Sequence, residues 1–471
     1  MQDFVRQPSE EEWARLSVYA PRMRYFLGPG RIIPSKQVLE LLNTRFSDGC
    51  MLSKLRDIKW YDASLGHLEL TLPLIVSPVL TNFCLGFSPN PLNASQLLPA
   101  IEALAPAYNS IVKFRVSDSV IHDPLIVDAA STLILKCNPE TLRHLHIEST
   151  LSRKAFVHAT QLPNLESFVL KIGPDDEPEH GVPLPTLTFP SLESLDIHAI
   201  HTTHSPFLGT IAGIQSKKFS NLTLEFQAAE WMTLFPPMLV SLRHSGSHQT
   251  LTSLSIKPAG HFDIDAAFIR PLLFLTQMVW LYIDVACEPL CVYKLSDEDL
   301  EELVKAMPDL KLLHLGRRPC SHPANNSIKS LVSIAKHCRH LFELQIHTNV
   351  EIVVSGVSQH GGWGGDRTSG DPPSVFAGCP VSEIVFGPCF IPNEQQGAVL
   401  FAFMLLRLFP RLNSVVVYDS ISESGHLWEM VKGIINTCGH IGANVADIGK
   451  CTTSVLECEI SSCIAAANLG N

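Results

Sequence analysis

The chain has 471 residues, 46% hydrophobic and 17% charged, with a formal net charge of −11 and a pI near 6.0. The apolar share is ample for a large core, and the acidic balance argues against a general nucleic-acid or anionic-membrane surface, which requires clustered Lys and Arg. Thirteen cysteines, an odd number with no C-x-x-C pair, do not make a secreted disulfide framework and point to a reducing compartment, cytoplasmic or nuclear.

In chain order, the opening residues Met1 to Glu10 lack the apolar core of a signal peptide. Residues 1–50 read as a helical or irregular cap, with one weak repeat-like stretch at Pro21-Arg-Met-Arg-Tyr-Phe-Leu27. From 51 to 440 a phrase then returns thirteen times: apolar-x-x-apolar-x-x-apolar-x-apolar. Clear copies are Leu162-Pro-Asn-Leu165-Glu-Ser-Phe168-Val-Leu170, Phe189-Pro-Ser-Leu192-Glu-Ser-Leu195-Asp-Ile197 and Met307-Pro-Asp-Leu310-Lys-Leu-Leu313-His-Leu315. Taking the first residue of each closing apolar-x-apolar pair, the series runs Ile58, Phe83, Phe114, Leu145, Phe168, Leu195, Leu224, Leu254, Leu281, Leu313, Leu344, Ile384, Val415. The spacing averages close to thirty residues, room for one strand and one helix per unit.

The segments between copies carry helix signals. Ser296 to Met307 opens with a Ser cap and three acids, then places Leu300, Leu303, Val304 and Met307 on one face. Asn326–Cys338, Gln395–Phe409 and His426–Cys438 read the same way, with Ile126–Cys137 shorter and Gln96–Leu104 weaker. In a strand, both residues of apolar-x-apolar enter the core together, because alternate side chains share a face. One such unit cannot bury both its faces; a stack of them can. The expected fold is therefore an α/β leucine-rich-repeat solenoid, with a curved parallel β-sheet on the concave face and helices on the convex face. Three regions break the period, the first being residues 1–50 with their weak copy. A Gly-rich stretch, His360 to Pro373, marks a flexible insertion at about 355–375, and 441–471 reads as an irregular tail.

The stretch Glu11-Glu-Trp-Ala-Arg-Leu-Ser-Val-Tyr-Ala-Pro-Arg-Met-Arg-Tyr-Phe26, followed by irregular Leu-Pro-x-Leu-x-x-Leu units, resembles the repeat region of mushroom-type fungal F-box proteins over roughly residues 9 to 437. That resemblance implies a repeat arm that holds the substrate of a cullin ubiquitin ligase, docked through an F-box on the Skp adaptor. The chain departs from the family in one respect: residues 1–12 do not hold the Leu-Pro-x-Glu-Ile-like start of an F-box, so the chain reads as beginning after it. Skp or cullin partnership thus rests on analogy. The asparagine ladder of many leucine-rich units is also missing, with Glu148, Gly173 and Ala199 near those positions.

The residue between the paired apolar positions faces away from the helices. That row includes Lys59, Arg115, His146, Asp196, Glu225, Tyr282, His314, Gln345, Val385 and Val416, flanked by Lys113, His144, His198, Trp280, Asp284, His347 and Tyr418. Exposed aromatics and Arg carry most energy at protein interfaces, so the expected partner-binding residues are Arg115, His146, Trp280, Tyr282, His314 and Gln345.

No catalytic residue is nominated. The sequence has no G-x-S-x-G elbow, no phosphate-binding G-x-x-x-x-G-K-[ST] loop, no helix-opening G-x-G-x-x-G and no H-E-x-x-H. The densest histidine group, His198-Ala-Ile-His201-Thr-Thr-His204, leaves a strand for a loop without the converging ligands that zinc needs. Cys287 with Cys291, and Cys451, Cys458 and Cys463, match no standard ligand spacing. No metal and no cofactor is expected. The function expected is a non-enzymatic protein-recognition scaffold; the alternative is a structural or regulatory interaction solenoid unrelated to ubiquitin transfer. Neither nucleic acid nor membrane is an expected partner.

Overall fold

The computed structural model describes residues 6–28, 35–47, 50–62, 68–87, 101–118, 124–148, 150–172, 188–199, 214, 216–259, 263–285, 293–316, 324–348, 379–386, 395–417 and 425–441. The insertion at about 355–375, the tail 442–471, most of Gln96–Leu104, and His201, His204, Tyr418 and the tail cysteines lie outside them. The chain forms two compact units, Met1–Leu251 and Thr252–Asn471.

In the first unit eight strands lie in sequence order, each parallel to the next: β1 (Tyr25–Leu27), β2 (Asp57–Asp62), β3 (Asn82–Phe87), β4 (Lys113–Asp118), β5 (His144–Ile147), β6 (Ser167–Ile172), β7 (Ser194–Ala199) and β8 (Asn221–Gln227). Its helices are α1 (Glu10–Tyr19), α2 (Lys36–Arg45), α3 (Leu68–Ile75), α4 (Pro124–Lys136), α5 (Arg153–Thr160) and α6 (Ala228–Ser245). The second unit has six parallel strands in order, β9 (Ser253–Ala259), β10 (Trp280–Ile283), β11 (Leu312–Leu315), β12 (Glu343–Ile346), β13 (Glu383–Phe386) and β14 (Ser414–Val417). Its helices are α7 (Ala266–Ile269), α8 (Asp297–Ala306), α9 (Ile328–His337), α10 (Gln395–Leu408) and α11 (Gly425–Ile441). The weak copy at 21–27 begins in a 3-10 turn (Ala20–Arg22) and ends in β1, with Phe26 opposite Ile58.

The repeated phrase buries itself as its spacing requires. Leu162, Leu165, Phe168 and Leu170 are all buried, as are Met307, Leu310, Leu313 and Leu315. The first two of each set close a tight turn: the Leu192 amide donates to the Phe189 carbonyl at 3.5 Å, and Leu310 to Met307 at 3.3 Å. The next amides then donate to the previous coil, Glu166 to Arg143 at 2.7 Å and Lys311 to Val279 at 2.8 Å. Each fully buried Leu contributes ~1.5–3 kcal/mol, and the rings stack from coil to coil, Phe83 on Phe114 at 6.1 Å between centroids.

One strand departs from the expected register. Leu195 pairs with Leu222, not Leu224. The stretch Leu222-Thr-Leu224-Glu-Phe226 offers three alternating apolar residues, so the closing pair is ambiguous in sequence. The upstream turn decides it: the Phe219 amide donates to Ser216 O as the Leu192 amide does to Phe189 O. Thr223, rather than Glu225, therefore occupies the central row.

Helix starts follow their caps. Ser296 Oγ accepts from the Asp299 amide at 3.2 Å while Asp299 Oδ2 accepts from the Ser296 amide at 3.0 Å, a reciprocal box that opens α8. Asp297 fastens this helix to the next one, accepting from the Ser327 amide at 2.8 Å, the Ser327 hydroxyl at 2.7 Å, the Ser330 amide at 3.2 Å and the Ser330 hydroxyl. Burial raises the Asp297 pKa, but the hydrogen bonds from Ser330 and Ser327 outweigh it and hold the carboxyl below its usual range. Among the described residues no helix is long and apolar enough to cross a membrane.

Candidate partner-binding face

Parallel in-register pairing turns the alternation of each strand into rows across the sheet. In the first unit the central row reads Lys59, Cys84, Arg115, His146, Val169, Asp196 and Thr223. In the second it reads Ser255, Tyr282, His314, Gln345, Val385 and Val416. The opposite faces are the buried anchors, Phe114, Leu145 and Phe168 in one and Leu281, Leu313 and Leu344 in the other.

On β4 to β8 the polar groups of the first unit's strand face pair with one another. Arg115 donates from Nη2 to Glu148 Oε1 at 2.8 Å and from Nε to Ser117 Oγ at 2.8 Å. His146 Nε2 lies 2.7 Å from the same Glu148 oxygen. Burial, with the Arg115 charge adding to it, lowers the His146 pKa against the opposing pull of Glu148, so the neutral ring donates to the carboxylate from Nε2. Glu148 is held below its usual range: burial pushes it up, and the His146 and Arg115 hydrogen bonds more than reverse that. The expected Arg115 and His146 are thus joined through Glu148, which the sequence reading noted only as a missing ladder residue.

Further along, His198 sits between two carboxylates. Its Nε2 is 3.1 Å from Asp196 Oδ1 and its Nδ1 is 2.8 Å from Glu225 Oε2. The Asp196 contact is close but poorly aligned for a hydrogen bond, whereas the Glu225 contact is both an ion pair and a hydrogen bond. Asp196 and Glu225 together push the His198 pKa up to about 9 against burial. The imidazole is a cation at neutral pH and serves as an internal counter-ion.

The second unit brings Trp280, Tyr282, His314 and Gln345 together with different chemistry. Trp280 is 43% exposed and meets Phe342, 36% exposed, edge-on at 5.8 Å. Tyr282 lies 5.2 Å from the His314 ring, centroid to centroid. His314 and Gln345 are not the open contacts that strand alternation predicts: they are 8% and 9% exposed. Tyr282 flanks His314 on one side and Gln345 on the other, and Gln345 turns its amide to the Gly316 carbonyl. Gly316 holds φ +87°, a backbone that favours glycine. Burial lowers the His314 pKa against the pull of Glu343, leaving a neutral ring. Phe342, Glu343 and Glu383 complete this patch and were not among the expected residues; Glu343 and Glu383 open β12 and β13 at the register of Trp280, which only the strand pairing reveals.

The described residues hold no group of three or more His, Cys, Asp or Glu placed to bind a metal ion. Burial raises the thiols of Cys137 and Cys338 to about 12 and Cys379 to about 11; as protonated, enclosed thiols they act as small core residues. Comparison with protein-family models finds no match, and comparison with characterised proteins finds no significant similarity.

Proposed function

We propose that the chain is a non-enzymatic protein-recognition scaffold of the leucine-rich-repeat type, whose strand face takes a protein partner. The observation that carries this reading is the in-register row opposite the helices, which sets an exposed Trp280–Phe342 pair beside Tyr282. Aromatic residues that remain on an ordered surface are the usual anchors of protein interfaces. Such a row supplies breadth and rigidity for a macromolecule. Because residues 11–26 and the Leu units after them resemble the repeat region of mushroom-type fungal F-box proteins, we read the scaffold as the substrate-holding arm of a ubiquitin-ligase adaptor, by analogy alone.

Affinity capture from cells tests the binding claim, with the wild-type chain run beside a Trp280→Ala/Tyr282→Ala variant. A protein recovered by the wild type and lost from a folded double variant supports it; identical recovery by both contradicts it. The ubiquitin part is tested separately by fusing an F-box ahead of the chain and supplying Skp and cullin. Ubiquitylation of the captured protein supports the adaptor arm, and its absence leaves a recognition scaffold independent of ubiquitin.

A further inference from the structure

Pairing sets Trp280, Leu312, Glu343 and Glu383 side by side on four consecutive strands of the second unit. Trp280, Phe342 and the half-buried Leu312 form an apolar rim. Glu343 and Glu383 stand next to it at the same register on adjacent strands. Adjacent strands are ~4.8 Å apart, so two ionised carboxylates at one register repel each other. In the first unit comparable acids are answered by Arg115, Arg143 or His198. Here, among the described residues, no Lys or Arg pairs with either. The near neighbour of Glu343 is His314, with Nε2 2.8 Å from Oε1. That ring is 8% exposed, and neither of its nitrogens makes an aligned hydrogen bond. The patch is an aromatic wall beside two carboxylates with no Lys or Arg partner among the described residues.

Building on the protein-recognition reading, we propose that this edge of the second unit docks an extended partner segment carrying an Arg beside an apolar side chain. The guanidinium lies between Glu343 and Glu383, and the apolar neighbour packs on Trp280 and Phe342. Arg suits the site better than Lys. Its planar fork can bridge two carboxylates, it is weakly hydrated, and it stacks on indole.

Selection of a random peptide display library on the full chain, followed by fluorescence polarisation with the enriched peptides, tests this. Enriched peptides should carry Arg within two positions of a large apolar residue. Their binding should weaken about tenfold or more in Glu343→Gln/Glu383→Gln and in Trp280→Ala, each verified as folded by thermal melting. It should also weaken on replacing the peptide Arg with Glu, and stay unchanged in Lys305→Ala on helix α8. Enriched peptides without a cation, or binding that survives the double Gln variant, would overturn the inference. If that binding is instead lost in Arg115→Glu, recognition belongs to the first unit and the proposed function stands. If no peptide is enriched and the capture experiment also recovers nothing specific, both fall.

Discussion

Across β4 to β8 the strand face carries Arg115, His146, Glu148, Asp196, His198 and Glu225, and each of those acids lies within ion-pair reach of Arg115, His146 or His198. Across β10 to β13 the corresponding positions carry Trp280, Tyr282, Glu343 and Glu383, with aromatic surface exposed and the acids without Lys or Arg partners among the described residues. The backbone construction is the same in both. Neutralised pairs on a half-solvated sheet contribute modestly to stability and leave little to offer a ligand. Exposed aromatics beside unmatched charge do the reverse. On the proposed function, the first face holds its own strands in register and the second is the one that takes a partner.

The buried side is where this comparison should vanish. Leu165→Ala in the first unit and Leu310→Ala in the second remove equivalent, fully buried side chains, and each should cost ~2–5 kcal/mol by chemical denaturation. A loss confined to one of them would show that the repeats are not built alike. Next in size is Asp297→Ala, which strips the second unit's helix-to-helix clamp and should cost about 2–3 kcal/mol. Because the folded pKa of Asp297 is depressed, its contribution is present above the unfolded carboxyl pKa of about 3.9. It fades as pH falls through the folded value, so the variant and wild type should converge in acid melting curves.

His198 behaves oppositely. Its folded pKa is raised to about 9, so its stabilisation is complete below the unfolded value of about 6.5 and disappears as pH rises through about 9. After allowance for solvent screening the effect is on the order of 2 kcal/mol. His198→Gln should therefore melt lower than wild type at pH 6 and alike at pH 10. A chemical-shift titration placing the His198 pKa below 7 would refute the counter-ion role. The smallest stability effect belongs to Trp280→Ala. The half-exposed indole should change the melting free energy by only about 0.5–1 kcal/mol, while abolishing most partner binding. A large loss of stability would return Trp280 to the core.

Much of this architecture was legible because the repeated phrase couples two periods. Its i, i+3 spacing specifies the turn and its i, i+2 spacing the strand, so Leu192 and Leu195 locate both at once. Helix α8 was equally readable, since Ser296, its acids and Leu300, Leu303 and Val304 all point to one face and one start. Leu224 was misassigned because Leu222, Leu224 and Phe226 alternate without marking which pair closes the unit. The site was less legible. Alternation says which face His314 and Gln345 share but not how far Tyr282 and their neighbours cover them. The meeting of Trp280 with Phe342, 62 residues later in sequence, depends on register across three strands, which no local pattern encodes.

The stacking of parallel coils in register is tested most directly by a pulsed electron-spin distance within the first unit. Labels at positions 113 and 221, attached through encoded ketone residues so that native thiols stay unlabelled, sit at one register position on β4 and β8. Four strand spacings of ~4.8 Å put the labels about 19 Å apart, broadened by their linkers. A single population centred near that separation is the predicted result, and a distance beyond about 35 Å or two separate populations would contradict the stack.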